Sequence, residues 1–367
     1  MNLPLFEKKM IVIVPSRNFK YSGIYNVSND LHTGLVKEKI DHEMVLVILD
    51  KSYAEPEFSV TKIPLSSLNK LFSLDKVFLI PDDYRLIDYL YDKKVYDQNV
   101  LIWCHYFQGH RLLFSEYNTK IKNKNLFEYA VSLLFNFLPR SIWKFFVHKY
   151  VYYLKNNLLI AQSVWSCLLL NRVFNLNCQS VINLPVDLKH FPNNKASDKK
   201  VLIFIGGKTD TDLQKLNHAL HVINGIVQDV EYYAIGDKGA YEIFAQTYKY
   251  RFNFLENITR EKLYDLIAKM AFTINPVFLG TFEMFPIESL LCGTPVITFI
   301  QPFMEVVGKT KLISSIHSDN DIIYKVKYWL YENIDDERTE IKRRIKSKME
   351  NNKIAREIFQ LIRDEYP

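Results

Sequence analysis

The sequence predicts an α/β protein made of two Rossmann-like, doubly wound domains facing a cleft. Three observations carry that prediction. A chain of 367 residues is long for one core, so two domains are favoured. Short apolar runs alternate with helix-period segments, the pattern of parallel sheets with crossover helices. That rhythm breaks at the polar stretch His190-Phe-Pro-Asn-Asn-Lys-Ala-Ser-Asp-Lys-Lys200, which reads as a linker, and then restarts. The expected boundaries are 1–189 for the first domain and 199–349 for the second, with 350–367 a C-terminal helix packing back on the first.

In the first series, Met10–Pro15 is a buried-strand run, followed by a loop with Ser22-Gly23-Ile24 and a helix near Val27–Lys39. Strands follow at His42–Leu49, Lys76–Ile80, Val100–Trp103, Leu158–Ala161 and Gln179–Ile182. The second series runs through strand Val201–Ile205, helix Leu213–Ile226, strand Val230–Ile235, helix Arg260–Lys269 and strands Phe272–Asn275 and Pro295–Phe299. The charged tail from Asp321 to Asp364 has helical character. Ligands of such sheets bind outside the carboxyl ends of the strands.

Composition narrows the class. Hydrophobic residues at 48% and charged ones at 24% suit a soluble globular protein. The four cysteines form no C-x-x-C, and no His cluster has metal spacing, so a reduced, metal-free cytoplasmic protein is expected. The N-terminus runs straight into Met10–Val14 without the form of a signal peptide, and no apolar run is long enough to span a membrane. The net charge is +6, and residues 111–155 alone carry eight Lys/Arg against two Glu.

The most informative stretch is Gly280-Thr-Phe-Glu-Met-Phe-Pro-Ile-Glu-Ser-Leu-Leu-Cys-Gly-Thr-Pro-Val-Ile297. It reads as a loop, a short helix starting at Pro286 with Glu288 in its first turn, a Gly-Thr-Pro turn and a buried strand. Free N–H groups at such a helix start suit a phosphate, and a carboxylate there suits ribose hydroxyls. Upstream, Val201-Leu-Ile-Phe-Ile-Gly-Gly-Lys208 is a strand ending in glycines and a lysine, with Lys215 on the next helix. These lysines read either as solvated residues at a helix start or as phosphate contacts. Asp210-Thr-Asp212 imitates a metal motif, but a helix N-cap explains it better.

These residues resemble the donor site of retaining glycosyltransferases of family 4, which have the GT-B fold. The resemblance runs from about Met10 to Gly308 and is specific at 286–297. It implies that Glu288 holds the ribose, that Lys208 stands for the family's Arg, that Lys215 is its Lys, and that Gly207 precedes them. It implies that the amides of Phe282 to Phe285, including Met284, meet donor oxygens. Val230-Glu-Tyr-Tyr-Ala-Ile-Gly236-Asp237 resembles the family strand whose glycine lets base or ribose approach. Gly23 falls in the family's phosphate-facing loop, and His105, after strand Val100–Trp103, where the family often has a His touching donor sugar or acceptor. The family's first Glu would be Gly280, a departure. Glu283, five residues before Glu288, reads equally as an exposed loop carboxylate or as a group reaching the donor sugar. His42, in Lys39-Ile-Asp-His42-Glu-Met-Val, reads as a packed turn residue.

The resemblance implies transfer of a hexosyl group from a UDP- or GDP-linked donor with retention, without metal. No cofactor is expected beyond the nucleotide-sugar co-substrate. The departures at Gly280 and Lys208 keep open a non-catalytic, nucleotide-binding relative. The acceptor would be a glycan, a lipid-linked molecule or a protein. The 111–155 insert interleaves Lys with Trp, Phe and Tyr and reads either as ordinary helices or as a peripheral contact with the inner face of a membrane. It could also stack on nucleic acid, but no nucleic-acid motif accompanies it, so nucleic acid is not an expected partner, although a nucleic-acid glucosyltransferase stays among the alternatives.

Overall fold

The computed structural model describes residues 9–16, 23–49, 58–73, 75–81, 83–95, 99–104, 148–193, 199–205, 210–256, 258–277, 284–299 and 302–366. Among these, residues 9–104, 148–188 and 348–366 form one compact unit, and 189–347 a second.

The first unit runs β1 (Lys9–Pro15), α1 (Gly23–Lys37), β2 (His42–Ile48), β3 (Thr61–Pro64), β4 (Lys76–Pro81), α2 (Tyr84–Asp92), β5 (Val100–Cys104), α3 (His148–Lys155), β6 (Leu158–Ala161), α4 (Val164–Phe174) and β7 (Ser180–Val181). Its strands pair in parallel in the order β3-β2-β1-β4-β5-β6-β7. The six strands from the β3 edge follow the doubly wound order, with the switch point between β1 and β4. Runs such as Ile-Val-Ile-Val in β1 and Val-Leu-Ile-Trp in β5 are buried on both faces, which only a sheet covered by helices on each side can satisfy.

The second unit repeats the plan: β8 (Lys200–Ile205), α5 (Asp210–Asn224), β9 (Glu231–Gly236), α6 (Lys238–Tyr248), β10 (Asn253–Phe254), α7 (Arg260–Ile267), β11 (Phe272–Asn275), α8 (Met284–Leu291), β12 (Val296–Thr298), α9 (Met304–Val307), β13 (Ile313–Ser315), α10 (Asp319–Tyr331) and α11 (Asp335–Met349). The parallel order is β10-β9-β8-β11-β12-β13, so the switch point lies between β8 and β11. Two doubly wound parallel sheets are what the strand–helix alternation predicts. The chain ends in α12 (Asn351–Glu365), which lies on α1 within the first unit.

Local chemistry starts the helices. Asp83, Ser163, Asp237, Thr259 and Ser318 each accept a backbone N–H at the start of α2, α4, α6, α7 and α10. Asp335, Asp336 and Glu337 put negative charge at the positive end of α11. Gly34 lets α1 and α12 touch: a Cβ there would lie 2.3 Å from the carbonyl oxygen of Asn351.

Several elements lack the expected pattern. β3 is an edge strand, largely exposed, and ends in Pro64, which an edge tolerates. β13 is Ile-Ser-Ser, whose hydroxyls mask a buried strand. Helix α8 begins at Met284, not at Pro286, and Glu288 is its fifth residue rather than a first-turn one. A proline is tolerated anywhere in the first turn, because N–H groups there have no partner inside the helix; it does not mark the first residue. No helix among the described residues is long and apolar enough to cross a membrane.

Candidate functional site

Helix α8 follows β11, so its N-terminus lies at the carboxyl ends of the strands, beside the switch point of the second sheet. Every residue from Phe285 to Leu291 is buried. Phe285 stacks on Phe204 of β8 with ring centroids 5.0 Å apart, so its side chain belongs to the core. The amides of Met284 and Phe285 lie in the first turn, where helix geometry provides no intrahelical acceptor. Together they make a partial positive end.

Glu288 is 7% exposed. Its Oε1 accepts a hydrogen bond of 2.8 Å from the Tyr264 hydroxyl, and Nη2 of Arg260 stands 3.9 Å from the same oxygen. Arg260 Nε in turn donates to the Tyr264 hydroxyl. The Tyr264 ring is stacked on Phe191 at 4.3 Å, with the Arg260 guanidinium carbon 5.5 Å from its centroid. Cys292 Sγ and Thr294 Oγ1 bond the backbone carbonyls of Tyr264 and Ile267, fastening the turn after α8 to α7. Burial first, and then the Glu288 charge, push the Cys292 thiol well above its ordinary range, so it packs as a neutral group.

Beneath α8 the sheet is polar. Thr273 Oγ1 donates to Ser289 Oγ, which donates to the carbonyl of Phe285. Asn275 and Thr298 are register partners at the carboxyl ends of β11 and β12, and both are fully buried. Asn275 Oδ1 accepts from the Val277 amide, while Asn275 Nδ2 and Thr298 Oγ1 have no hydrogen-bond partner among the described residues.

Lys215 lies on α5, half-buried, near His317, which follows β13 and packs edge-on against Phe299 at 4.6 Å. Burial first and then the Lys215 charge hold His317 below the ordinary imidazole value. A lysine and an imidazole held toward its neutral form thus gather at the carboxyl side of the second sheet, the imidazole unforeseen from sequence.

Gly236 ends β9 with φ of +114°, and a Cβ there would meet the Ile205 carbonyl oxygen at 2.4 Å. Close approach of β8 therefore accounts for this glycine, and Asp237 caps the next helix. Asp210 opens α5, and Asp212 is buried in its first turn. No three His, Cys, Asp or Glu side chains among the described residues are grouped to hold a metal. Gly23 is the first residue of α1. His105, Gly207, Lys208, Gly280, Phe282 and Glu283 lie outside the described residues, as does most of the 111–155 segment. His42 opens β2, bonded to His32 and to the carbonyl of Ile40, as a packed residue.

The structure brings Tyr264 and Arg260 to Glu288, a grouping the sequence reading did not foresee. The one sequence signal was their spacing of four on the helix before β11, which puts them on one face.

No known family model matches the chain, and no curated protein matches it in sequence. Solved structures do match in fold. Sucrose-phosphate synthase from Thermosynechococcus elongatus is 13% identical, with 98% of this chain and 99% of that chain covered and a TM-score of 0.65. A glycosyltransferase from Rickettsia africae ESF-5 is 12% identical, with 98% of each chain covered and a TM-score of 0.64. An alpha-glucosyltransferase solved with UDP and a 13-mer DNA containing an HMU base is 12% identical, with 97% of this chain and 100% of that one covered and a TM-score of 0.62. What the chain shares with them over nearly its whole length is the pair of Rossmann-like sheets of the GT-B fold.

Proposed function

We propose that this chain is a glycosyltransferase that takes a sugar from a nucleotide diphosphate donor, UDP- or GDP-linked, and passes it to an acceptor hydroxyl with retention of configuration and without metal. The observation that carries this reading is Glu288: a nine-tenths buried carboxylate, held by Tyr264, on the helix whose open amides lie at the switch point of the second sheet. The likeness to UDP-binding glycosyltransferases in fold supports it.

An ionised carboxylate only accepts hydrogen bonds, at up to about four lone-pair positions, which suits ribose hydroxyls. The amides of Met284 and Phe285, with Phe282 before them, and the cations Lys208 and Lys215 meet the diphosphate as it gains charge. Gly207 serves the approach of the backbone to the phosphates. The bond from the sugar's anomeric carbon to the phosphate oxygen breaks, and a bond to the acceptor oxygen forms on the same face. The acceptor's proton passes to the departing phosphate oxygen. His105 touches donor sugar or acceptor, Glu283 reaches the donor sugar in place of the residue missing at Gly280, and Gly23 serves the phosphates.

The test is a thermal-shift screen with UDP, GDP and their sugars, followed by assay of nucleotide release. A ligand at about a hundred times its Kd adds about 2.7 kcal/mol to the folded state and raises the midpoint accordingly. Glu288→Gln is expected to weaken the responding nucleotide by about tenfold or more, since one hydrogen bond to a charged group contributes about 1.5–3 kcal/mol. An unmoved midpoint with every nucleoside diphosphate would sink the reading. Binding without release from any sugar donor would favour a non-catalytic nucleotide-binding protein, to which the glycine at 280 already points.

A further inference from the structure

We infer that Tyr264 and Arg260 are positioning residues for the nucleotide's ribose, acting through the carboxylate of Glu288. The inference rests on the donor-site reading above. Hydrogen-bond bookkeeping carries it. A guanidinium has donors and no acceptor, so Arg260 Nε must donate to the Tyr264 oxygen. The single phenolic proton is then directed at Glu288 Oε1, 2.8 Å away, and that oxygen must act as an acceptor. Arg260 Nη2, 3.9 Å from the same oxygen, completes the triad.

The Tyr264 ring cannot swing: it is 1% exposed and stacked on Phe191. Glu288 Oε1 is therefore held by a partner that does not move. Ribose presents two hydroxyl donors, and an acceptor-only group held in one rotamer receives them without ordering cost at binding.

The same three residues would also form if they only pinned α7 to α8. Ribose discrimination separates the two roles. The full chain is titrated with UDP and with 2′,3′-dideoxy-UDP. The unchanged chain is expected to prefer UDP, and Glu288→Gln to abolish most of that preference. Tyr264→Phe should weaken UDP about fivefold to tenfold while leaving the dideoxy analogue unchanged, the size of one lost hydrogen bond. In the Glu288→Gln background, Tyr264→Phe should change neither affinity further, because its effect passes through Glu288.

Should Tyr264→Phe fold and keep the full preference, the inference falls. It falls equally if the substitution weakens both ligands alike, in either background, since that is a packing effect. If Tyr264→Phe does not fold, Arg260→Gln carries the same comparison from a side chain that is 20% exposed. Equal affinity of the unchanged chain for the two nucleotides would instead defeat the ribose role of Glu288, and the positioning role with it.

Discussion

The two sheets share one order over six strands and differ in what those strands conceal. In the first, the buried positions of β1, β2, β4, β5 and β6 are apolar, and the buried polar residues sit outside the strands, as with Ser16, Asp83 and Ser163. In the second, Thr273, Asn275, Thr298 and Ser314 are fully buried within β11, β12 and β13. Buried polar groups cost free energy unless they are bonded. Thr273 and Ser314 are bonded, whereas Asn275 Nδ2 and Thr298 Oγ1 have no partner among the described residues, so the second sheet gives up stability at the carboxyl ends of β11 and β12, beside Glu288 and the α8 amides. The candidate donor site thus lies where the fold is least optimised for packing.

The largest effects come from one close backbone contact in each unit, and they test whether the units tolerate strain alike. Gly236→Ala combines a left-handed φ with a clash against the Ile205 carbonyl, and is expected to cost about 2–5 kcal/mol. Gly34→Ala meets the Asn351 carbonyl without an unusual φ and should cost about 1–3 kcal/mol. Denaturant unfolding measures both. A Gly34 variant more damaged than the Gly236 variant would mean that the α1–α12 contact matters more than the β8–β9 one.

Thr298→Val sharpens the contrast with a smaller effect of opposite sign. The Thr298 hydroxyl is buried with no partner among the described residues, and valine matches its shape. Removing an unsatisfied hydroxyl should stabilise the chain by up to about 1–2 kcal/mol. A loss of stability would show that the hydroxyl has a partner in solution, such as an ordered water.

How much of this was legible follows from the same physics. Doubly buried strands are apolar runs, so Leu158–Ala161 could be read to the residue. β13 could not, because Ser314 and Ser315 satisfy their hydroxyls through tertiary contacts such as Ser314 to Asp321. Glu288 was legible because its local pattern is contiguous. Tyr264 was not, because its bond to Glu288 joins residues 24 apart, and no local spacing rule reports such a contact. Gly236 was legible as a glycine that matters, and the fold supplies a reason the sequence did not: a neighbouring strand excludes a side chain there.

The smallest expected effects are two histidine titrations, one in each unit. In the first, His42 Nδ1 donates to the Ile40 carbonyl, so its Nε2 accepts from His32 Nδ1 at 2.8 Å when both rings are neutral. Burial first, and then His42, lower the His32 pKa. A depressed folded-state value means that the unfolded chain takes up the proton first as pH falls. This part of the stability is thus complete above the ordinary value of 6.5 and is lost between there and the lower folded value. The melting midpoint should drop across that window, and less so in His32→Gln. In the second unit His317 is lowered by burial and then by Lys215, so Lys215→Met should raise its pKa. If Lys215 meets the diphosphate, UDP should do the same to the unchanged chain by neutralising that charge, while the His32 titration stays put. Imidazole proton shifts read by NMR decide it: a bound nucleotide that leaves His317 unmoved places the phosphates elsewhere on the carboxyl edge of the second sheet.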